Sequence, residues 1–568
     1  MPTVTFLPKH VTVEVAYGSG LLSAARRAHV NIESPCNGGG TCEKCKVRIL
    51  AGEVNPEYLL NHANVLTEVE KHNGWLLSCL VEVTSDLCVE ISEHSDSDNQ
   101  ILSEGVTHQR QLRPWVTKHF DVNDNKTRIL SGHNIIAEEP GDVLDIIYGI
   151  AVDIGTTTIV VSLVNLITGE ELGVASAINP QTVFGHDVLS RIKFAGENDG
   201  LRKLQEGLIE TLNKLIFELA DKHYVTRERI YEAVFSGNTT MLHLAVAANP
   251  RSLGRYPYTP LIHGGTSLPA VSIGLQIAAN GEVYLPPIFD AFVGADITSG
   301  VLATALNQLS GVTLFVDVGT NGEMILAVNG QLHATSTAAG PAFEGMNISC
   351  GMRAANGAID MFKIDDDGVV DIRTIGRSEA AGICGSGLID IVGELVISGV
   401  IDKSGRFTKS REDLPYELKH RLTERDGKTL FDLGNNVYLS QKDIRQVQLA
   451  KGAIRAGIDA LIQLRELKPN DVDTVLIAGS FGYHLRPESL INLGLLPVAF
   501  ADKIKYVGNT SKTGAIAFLL DRNAREELFQ IVQSTPTIDL AHSPNFDKIF
   551  VDALAFPMID DIRVAASL

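Results

Sequence analysis

The chain has 568 residues, of which 45% are apolar, and a formal net charge of −20 at pH 7. This length predicts two to four domains, because one hydrophobic core rarely serves so many residues. The negative charge argues against nucleic acid and anionic membranes as partners, since no basic patch is available to neutralise phosphates. No apolar run approaches the roughly 18 residues that span a bilayer, and the N-terminus lacks signal-peptide character, so we expect a cytoplasmic protein.

Residues 1–95 are predicted to form a compact α+β domain. Residues 3–6 and 11–15 alternate polar and apolar side chains, which is typical of a β-hairpin. Apolar residues then recur at helical spacing from Leu21 to Ala28, and strand-like residues resume from Lys46. This order of hairpin, helix and strands predicts a domain of ordinary size.

Three of the seven cysteines lie within ten residues, in S-P-C-N-G-G-G-T-C-E-K-C. The spacing is C-x5-C-x2-C, and a fourth cysteine follows after thirty-three residues. Zinc sites of four cysteines normally place two close pairs apart, whereas these cysteines come as three plus one, which favours a [2Fe–2S] loop. Glycines at 38–40 allow positive φ angles and can turn backbone N–H groups toward the sulfurs.

These residues resemble the plant- and adrenodoxin-type ferredoxin domain, which has a β-grasp fold. The resemblance implies a one-electron carrier of low potential, around −400 mV in plant-type ferredoxins. Cys88 lies outside the pattern and is expected to be a core residue. The cluster ligands that the resemblance assigns are Cys36, Cys42, Cys45 and Cys79.

Residues 96–147 are predicted to form a linker. The composition from Ser92 to about Asp145 is polar and turn-rich, without a sustained period. This composition favours a hinge with one or two short elements. A second interpretation is a tether that lets the cluster move between an electron donor and an acceptor.

Two similar stretches predict a nucleotide site. They are Y-G-I-A-V-D-I-G-T-T-T-I-V-V and V-T-L-F-V-D-V-G-T-N-G-E-M-I, each a strand, an aspartate, x-Gly-Thr, a polar turn and a second strand. The turn can present N–H and hydroxyl groups to phosphates, and the aspartate can bind Mg²⁺ through water. One copy could be any hairpin, but two copies favour ATP with Mg²⁺ between two related lobes. The candidate residues are Asp153, Gly155, Thr156, Thr157, Thr158, Asp317, Gly319, Thr320, Asn321, Gly322 and Glu323.

A third glycine element follows the strand-like residues 475–477 and contains Gly479, Ser480 and Gly482. Alone it would be a routine strand-to-helix turn. The order of the three motifs matches the acetate and sugar kinase, Hsp70 and actin superfamily, in which the hairpins are phosphate 1 and phosphate 2 and the glycine pair binds adenosine. The predicted lobes of this ATPase are residues 148–310 and 311–568.

Two further residues are candidates for the same cleft. Asn238 follows a strand-like segment in G-N-T-T and could line the cleft. Asp296, in V-G-A-D-I-T-S-G, lies where related sugar kinases place a catalytic base, and would orient the attacking water in ATP hydrolysis. A helix-capping role for Asp296 is equally compatible with the sequence. The stretch G-I-C-G-S-G opens a predicted helix and lacks the dinucleotide fingerprint.

Nearly the whole chain resembles the reductive activators of corrinoid proteins. The resemblance depends on C-x5-C-x2-C…C, D-I-G-T-T-T, G-N-T-T-M, V-G-A-D-I-T-S-G, D-V-G-T-N-G-E, A-A-G-P-A-F-E-G and G-I-C-G-S-G-L-I-D. It implies one-electron reduction of a Co(II) corrinoid protein to Co(I) for a methyltransferase system, as in O-demethylation, with a low-potential electron donor. It also implies a homodimer whose C-terminal lobes dock the corrinoid protein, with Ser336–Pro341 a candidate contact. Larger members carry a small extra domain, for which the linker is expected to be too short.

The sequence therefore predicts a multidomain α/β plus α+β protein. It comprises a β-grasp [2Fe–2S] ferredoxin domain, a short linker and a two-lobed actin/Hsp70/sugar-kinase-like ATPase. Two alternatives stay open. One is an ATP-dependent activator of a radical dehydratase, in which Cys350 and Cys384 would hold a [4Fe–4S] cluster between subunits, although buried hydrophobes are the expected role of both. The other is a redox-sensing, nucleotide-dependent binding protein.

Overall fold

The computed structural model describes residues 1–8, 10–28, 30, 32, 45–54, 73–91, 105–106, 108, 110–365, 367–425, 427–479, 485–543 and 545–557. Among these residues, none of the helices is both long enough and apolar enough to cross a lipid bilayer.

The N-terminal module is a twisted sheet with one described helix packed on it. Its elements are β1 (Thr3–Leu7), β2 (Val11–Glu14), β3 (Ser19–Gly20), α1 (Leu21–Arg27), β4 (Lys46–Ala51), β5 (Trp75–Leu77), β6 (Glu82–Val83) and β7 (Leu87–Ile91). The described strands have the order β2-β1-β7-β4-β5, with β1 antiparallel to β2 and parallel to β7. Phe6, Leu21, Val47 and Val89 share one core, which confirms the predicted hairpin and helix. Cys88 is only half-buried, because it alternates with buried Leu87 and Val89 and so points away from that core.

The segment predicted as a linker contains more regular structure than expected. It forms an antiparallel meander of β8 (Val116–Asp121), β9 (Lys126–Ser131) and β10 (Asn134–Pro140), in the order β10-β9-β8. Val116 and Ile129 are fully buried in a core that also contains residues of both ATPase lobes. The polar composition hid this sheet because the exposed face of each strand carries charged residues.

The first lobe has a mixed sheet in the order β13-β12-β11-β14-β16-β15. Its elements are β11 (Tyr148–Ile154), β12 (Thr158–Asn165), β13 (Glu171–Ile178), α2 (Val188–Ala195), α3 (Gly200–Lys222), β14 (Ile230–Gly237), α4 (Thr239–Ala245), β15 (Thr266–Pro269), β16 (Glu282–Leu285) and α5 (Ala295–Thr304). Strand β11 is antiparallel to β12 and parallel to β14. Residues 149–152 of β11 are consecutively buried, because a central strand of such a sheet is covered on both faces.

The second lobe repeats this arrangement in a sheet of order β19-β18-β17-β26-β27. Its elements are β17 (Val312–Val318), β18 (Gly322–Val328), β19 (Gln331–Thr337), β20 (Ala358–Ile364), β21 (Val370–Thr374), β22 (Gly382–Ile383), α6 (Gly385–Ile397), α7 (Tyr416–Arg421), β23 (Leu422–Arg425), β24 (Lys428–Gly434), β25 (Val437–Ser440), α8 (Gln441–Leu464), β26 (Thr474–Ala478), α9 (Pro487–Asn492) and β27 (Ile504–Gly508). Strand β17 is antiparallel to β18 and parallel to β26, as β11 is to β12 and β14. The two lobes are therefore related in sheet order as well as in motif.

The last part of the chain returns to the first lobe. It contains α10 (Thr510–Leu520), α11 (Asn523–Ser534) and α12 (Phe546–Ala553). Helix α10 packs against α5, β11 and β14, although the sequence assigns residues 311–568 to the second lobe. A shared core of residues from both lobes surrounds this crossing, so the lobes meet along α5 and α10. The domain boundaries stay a prediction.

Candidate functional site

The first hairpin places its turn at the carboxyl end of the buried strand β11. Ile154 pairs with Ile159 as the last rung, and Gly155, Thr156 and Thr157 form the turn. A Cβ atom on Gly155 would lie 2.6 Å from the carbonyl oxygen of Thr158, so any larger residue would force this turn open. The predicted strand–turn–strand geometry is thus present.

The second hairpin closes in the same way, with Val318 paired to Gly322, and the two turns line a single cleft of about 230 Å³. The predicted residues that line it are Asp153, Gly155, Thr156, Thr157, Thr158, Asn238, Asp296, Asp317, Gly319, Thr320, Asn321, Glu323 and Gly479. Gly322 lies behind the turn, where a Cβ atom would be 2.8 Å from the side chain of Ile454. Ser480 and Gly482 lie outside the described residues.

Asn238 and Asp296 lie near the starts of two helices beside the first hairpin. The side chain of Asn238 accepts a hydrogen bond from the N–H of Met241 at 3.0 Å, which caps α4, and donates one to Thr156 Oγ1 at 3.0 Å. Asp296 is in the first turn of α5, and its Oδ1 accepts from the N–H of Ile297 at 2.9 Å. The N-cap of α5 is Gly294, with no side-chain capping bond, so the helix-capping alternative for Asp296 is wrong, and the residue lies in the first turn on the cleft wall.

Four carboxyl groups give the cleft its electrostatic character: Glu323 is buried, and Asp153, Asp296 and Asp317 are half-buried in the cleft wall. Burial, followed by the charges of Asp317 and Asp153, raises the pKa of Asp296 to about 8. Burial and Asp153 raise the pKa of Asp317 to about 7. Burial and the charges of Asp296 and Asp317 raise the pKa of Glu323. Burial also raises the pKa of Asp153, although the hydrogen bonds that this carboxylate accepts act in the opposite direction. The cleft thus holds more negative charge than its own cations neutralise.

This carboxylate set fits Mg²⁺ in its chemistry. Hard carboxylate oxygens are the ligands Mg²⁺ prefers, and a divalent cation would offset the crowding that raises these pKa values. Among the described residues, no three acidic, histidine or cysteine side chains form a preformed metal cage. Asp153 and Asp317 would therefore hold the ion together with water and phosphate oxygens, as Mg²⁺ commonly requires.

Residues at the start of α10 complete the cleft and were not predicted. Asn509 Nδ2 donates to Asp153 Oδ2 at 2.8 Å, and Ser511 Oγ donates to Asp153 Oδ1 at 2.7 Å. Asn509 also caps its helix by accepting from the N–H of Lys512 at 2.9 Å. The segment G-N-T-S here repeats the G-N-T-T at Asn238, and this second copy after a strand could have indicated the site.

Arg191 and Glu344 are further unpredicted residues beside the turns. Arg191, on α2, is fully buried and its guanidinium donates to the carbonyl oxygens of Thr156 and Gly185, the latter at 2.8 Å. The Glu344 carboxylate accepts from Thr157 Oγ1 at 2.6 Å and from Thr320 Oγ1. The contact of Glu344 with Thr157 joins residues 187 positions apart, so the motif A-A-G-P-A-F-E-G, which contains Glu344, could not by itself reveal it.

The described part of the ferredoxin module fits a cluster at one end of its sheet. Cys45 and Cys79 flank the paired ends of β4 and β5, and the N–H of Ser78 donates to the carbonyl oxygen of Cys45 at 2.9 Å. Cys45 is fully buried. Cys36 and Cys42 lie outside the described residues. The two described cysteines are thus brought together by strands whose paired residues are 27 to 31 positions apart in sequence, as a shared ligand role requires.

Cys384 is placed unfavourably for the alternative of a cluster between subunits. It is 2% exposed, caps the start of α6 and donates from its thiol to the carbonyl oxygen of Ile359. Burial raises the pKa of this thiol, which disfavours the thiolate that an iron ligand needs. Cys350 is half-buried against the core of the second lobe.

Three family models match parts of the chain. Residues 4–84 match a 2Fe-2S iron-sulfur cluster binding domain, residues 148–309 match the RACo middle region, and residues 311–565 match the C-terminal domain of RACo, the ASKHA domain. These matches confirm the predicted fold class of a ferredoxin domain joined to a sugar-kinase- and actin-like ATPase, and they support a [2Fe–2S] cluster.

Similar proteins extend over most of the chain. The corrinoid activation enzyme RamQ of Eubacterium limosum is 32% identical over 552 residues, covering 91% of this chain and 92% of the relative. A [Co(II) methylated amine-specific corrinoid protein] reductase of Methanosarcina barkeri is 27% identical and covers 72% of this chain and 77% of its own. A solved reductive activator for corrinoid, iron-sulfur protein is 33% identical with a TM-score of 0.70, covering 98% of both chains. The chain therefore belongs to the family of reductive activators of corrinoid proteins.

Proposed function

We propose that this chain uses ATP to drive the transfer of one electron from its ferredoxin module to a Co(II) corrinoid protein. The cobalt gains that electron and returns to Co(I), the state that accepts a methyl group. The observation that carries the proposal is the cleft in which the two D-x-G-T turns face each other, in the same chain as a ferredoxin module. Its relatives include a corrinoid activation enzyme and a Co(II) corrinoid protein reductase.

The need for ATP follows from the energetics of the electron transfer. For one electron, each 59 mV uphill costs a factor of ten in the equilibrium constant. A plant-type cluster near −400 mV therefore requires a second source of free energy to reduce an acceptor of lower potential. The [2Fe–2S] cluster supplies one-electron chemistry when bound, and ATP binding or hydrolysis supplies the driving force.

Each wall of the cleft has a role in this proposal. The turns at Gly155 and Gly319 bind the phosphates with N–H and hydroxyl groups, and Asp153 and Asp317 hold Mg²⁺. Asp296 orients the attacking water. The remaining predicted contacts are Asn238 with the first turn, and Gly479, Ser480 and Gly482 with adenosine.

The proposal also names partners and a setting. The corrinoid protein belongs to a methyltransferase system, with O-demethylation as one such setting, and a low-potential donor reloads the ferredoxin module. We place the protein in the cytoplasm, where ATP is available, as a homodimer. The segment Ser336–Pro341 is the candidate contact with the corrinoid protein. It ends β19 and leads directly into the turn that carries Glu344, so it adjoins the nucleotide cleft.

Stopped-flow spectroscopy tests the reaction directly. The full-length holoprotein, a reductant and a Co(II) corrinoid protein are mixed with or without ATP and Mg²⁺, and Co(I) absorption near the visible–ultraviolet edge is followed. We expect Co(I) to form faster with ATP. If ATP changes corrinoid-protein binding but not Co(I) formation, the chain is a nucleotide-dependent redox sensor instead. Iron and sulfide counts with EPR add a check, since a four-iron signal would favour a radical-dehydratase activator.

A further inference from the structure

One carboxylate joins the two nucleotide turns of the cleft. Glu344 Oε2 accepts from Thr157 Oγ1 at 2.6 Å, and Glu344 Oε1 accepts from Thr320 Oγ1. Short hydroxyl–carboxylate hydrogen bonds of this kind are among the stronger ones in proteins. We call this three-residue contact the Glu344 bridge. It connects the phosphate 1 turn of one lobe to the phosphate 2 turn of the other.

The backbone that carries Glu344 is held firmly. Pro341–Glu344 is a single 3₁₀ turn between two residues with positive φ, Gly340 and Gly345, each at +76°. Phe343, next to Glu344, is fully buried in the core of the second lobe. A Cβ atom on Gly345 would lie 2.5 Å from the carbonyl oxygen of Met352, so the chain packs closely here. Glu344 can therefore leave the bridge by moving its side chain, while its backbone stays in place.

The Glu344 bridge uses the hydroxyl groups that the turns would otherwise offer to phosphate. A carboxylate and a phosphate are both anionic oxygen acceptors, so they compete for the same donors. The carboxylate and the phosphate also repel each other when they are close. Little positive charge offsets this repulsion, because Arg353 is the one cation among the described residues that line the cleft. A nucleotide phosphate between the turns and an intact bridge are thus mutually exclusive.

We propose that Glu344 is a positioning residue that holds the two turns together in the nucleotide-free protein and is displaced by the nucleotide phosphates. This inference rests on the proposed binding of ATP in the cleft. It makes nucleotide occupancy a switch between two arrangements of the lobes, one joined by Glu344 and one joined by phosphate. Such a pair of states is what coupling between ATP and a distant electron transfer requires.

Binding affinity tests the competition. Glu344→Gln keeps the size of the side chain and removes its charge, so ATP with Mg²⁺ should bind the full-length holoprotein about tenfold more tightly than wild type, as measured by equilibrium titration. Glu197→Gln removes an exposed carboxylate just beyond α2 and should leave the affinity unchanged. If Glu344→Gln binds ATP equally or more weakly than wild type, Glu344 is a ligand of nucleotide or metal and the proposal is wrong. If wild type itself binds no ATP, the proposed function fails first.

Hydrogen exchange tests the bridge without nucleotide. Backbone amides of residues 154–159 and 318–322 should exchange several-fold faster in Glu344→Ala than in wild type when ATP is absent, and equally when ATP is saturating. A residue with a merely structural role would speed exchange in both conditions. Equal exchange without ATP would overturn the bridge. Glu344→Gln provides the same comparison if Glu344→Ala does not fold.

Discussion

Asp153 and Asp317 end equivalent strands of the two lobes, but their surroundings differ. Asp153 accepts hydrogen bonds from Asn509 and Ser511 and so ties the first turn to the start of α10. The pKa of Asp317 is raised to about 7 by burial and by the charge of Asp153. Asp153 therefore joins elements of the fold, whereas Asp317 mainly contributes negative charge to the cleft.

The two aspartates should consequently respond differently to an isosteric change. Asp317→Asn is expected to abolish the ATP effect on Co(I) formation, to leave the cluster spectrum unchanged and to raise the thermal unfolding midpoint at pH 7 or above, because it removes a charge that burial disfavours. Asp153→Asn should abolish the ATP effect and also lower the midpoint, because hydrogen bonds worth about 1 kcal/mol each are weakened. Stopped-flow spectroscopy and calorimetry measure the two effects. Asp371→Asn, on an exposed position of β21, is the control. An unaltered ATP response in Asp317→Asn would remove the phosphate clamp from the proposal.

Lys451 is a buried lysine of α8 that lies outside the nucleotide motifs. Its ammonium group donates to the carbonyl oxygen of Ala555 and lies 5.0 Å from the ring centre of Phe556. Burial, with a smaller contribution from Arg455, lowers the pKa of Lys451 to about 7. Above about pH 7 the neutral amine is therefore the preferred form in the folded protein, and folding costs free energy wherever this lysine must be charged.

This shift predicts a pH dependence of stability. Between about pH 7 and the ordinary lysine pKa of about 10.4, the unfolded chain binds one more proton than the folded chain, so stability rises with pH by up to about 1.4 kcal/mol per unit. Lys451→Met should have a higher unfolding midpoint than wild type at pH 7. Its midpoint should then increase less than that of wild type between pH 7 and pH 9. Calorimetry at both pH values measures the difference, with the exposed Lys419→Met as control. Equal gains in Lys451→Met and wild type would show that Lys451 is charged throughout.

At the scale of elements, the two hairpins were predictable because their structure is local. Each D-x-G-T sequence places a glycine where the turn needs it and an apolar run on both sides, so strand and turn follow from a few adjacent residues. The linker sheet was missed for the opposite reason. Strands β8 to β10 gain their stability from tertiary contacts such as that of Ile129 with the lobes, and their own composition is polar.

Helix α2 shows how tertiary contacts complete a site that local patterns only outline. Arg191 on α2 donates to the Thr156 carbonyl in the first turn, to that of Gly185 and to Gln181 Oε1 at 3.2 Å. The sequence around Arg191 has no turn or glycine motif that would mark it. Its role arises because the fold brings the planar guanidinium within reach of three acceptors at once.

Replacing the Arg191 guanidinium should destabilise the first hairpin turn, because the turn loses the donor to its Thr156 carbonyl oxygen. Arg191→Lys keeps the charge but offers one compact donor group, so at least one buried acceptor is left unsatisfied, at a cost of about 1–3 kcal/mol. We expect weaker ATP binding by roughly tenfold and a lower unfolding midpoint, measured by titration and calorimetry. Arg202→Lys, an exposed pair with Glu206 on α3, should change neither quantity. Unchanged ATP affinity in Arg191→Lys would mean that the turn holds its shape alone.

At the scale of the whole molecule, the hydrophobic cores do not leave residues 96–147 as the separate linker that the sequence predicts. The ferredoxin core is composed of residues between Val4 and Ile91 only. A second core contains Val116 of the predicted linker together with residues of both lobes, as far along the chain as Ile531. A backbone hydrogen bond also joins the predicted linker to the second lobe, since the N–H of Val106 donates to the carbonyl oxygen of Val507 at 2.8 Å. The described part of the predicted linker, from residue 105 on, is thus built into the ATPase.

Truncation distinguishes a tether from a built-in segment. A chain beginning at residue 105 should bind ATP with wild-type affinity, because it keeps every residue of the shared core. A chain beginning at residue 148 should unfold at a clearly lower temperature and bind ATP poorly, because it exposes the apolar surface that Val116 and Ile129 cover. Equal stability of the two chains would restore the tether interpretation.

In the full-length protein, Cys42→Ser should lose the cluster absorption and keep ATP binding. Loss of both would mean that the ferredoxin module and the ATPase fold as one cooperative unit, which their separate cores argue against.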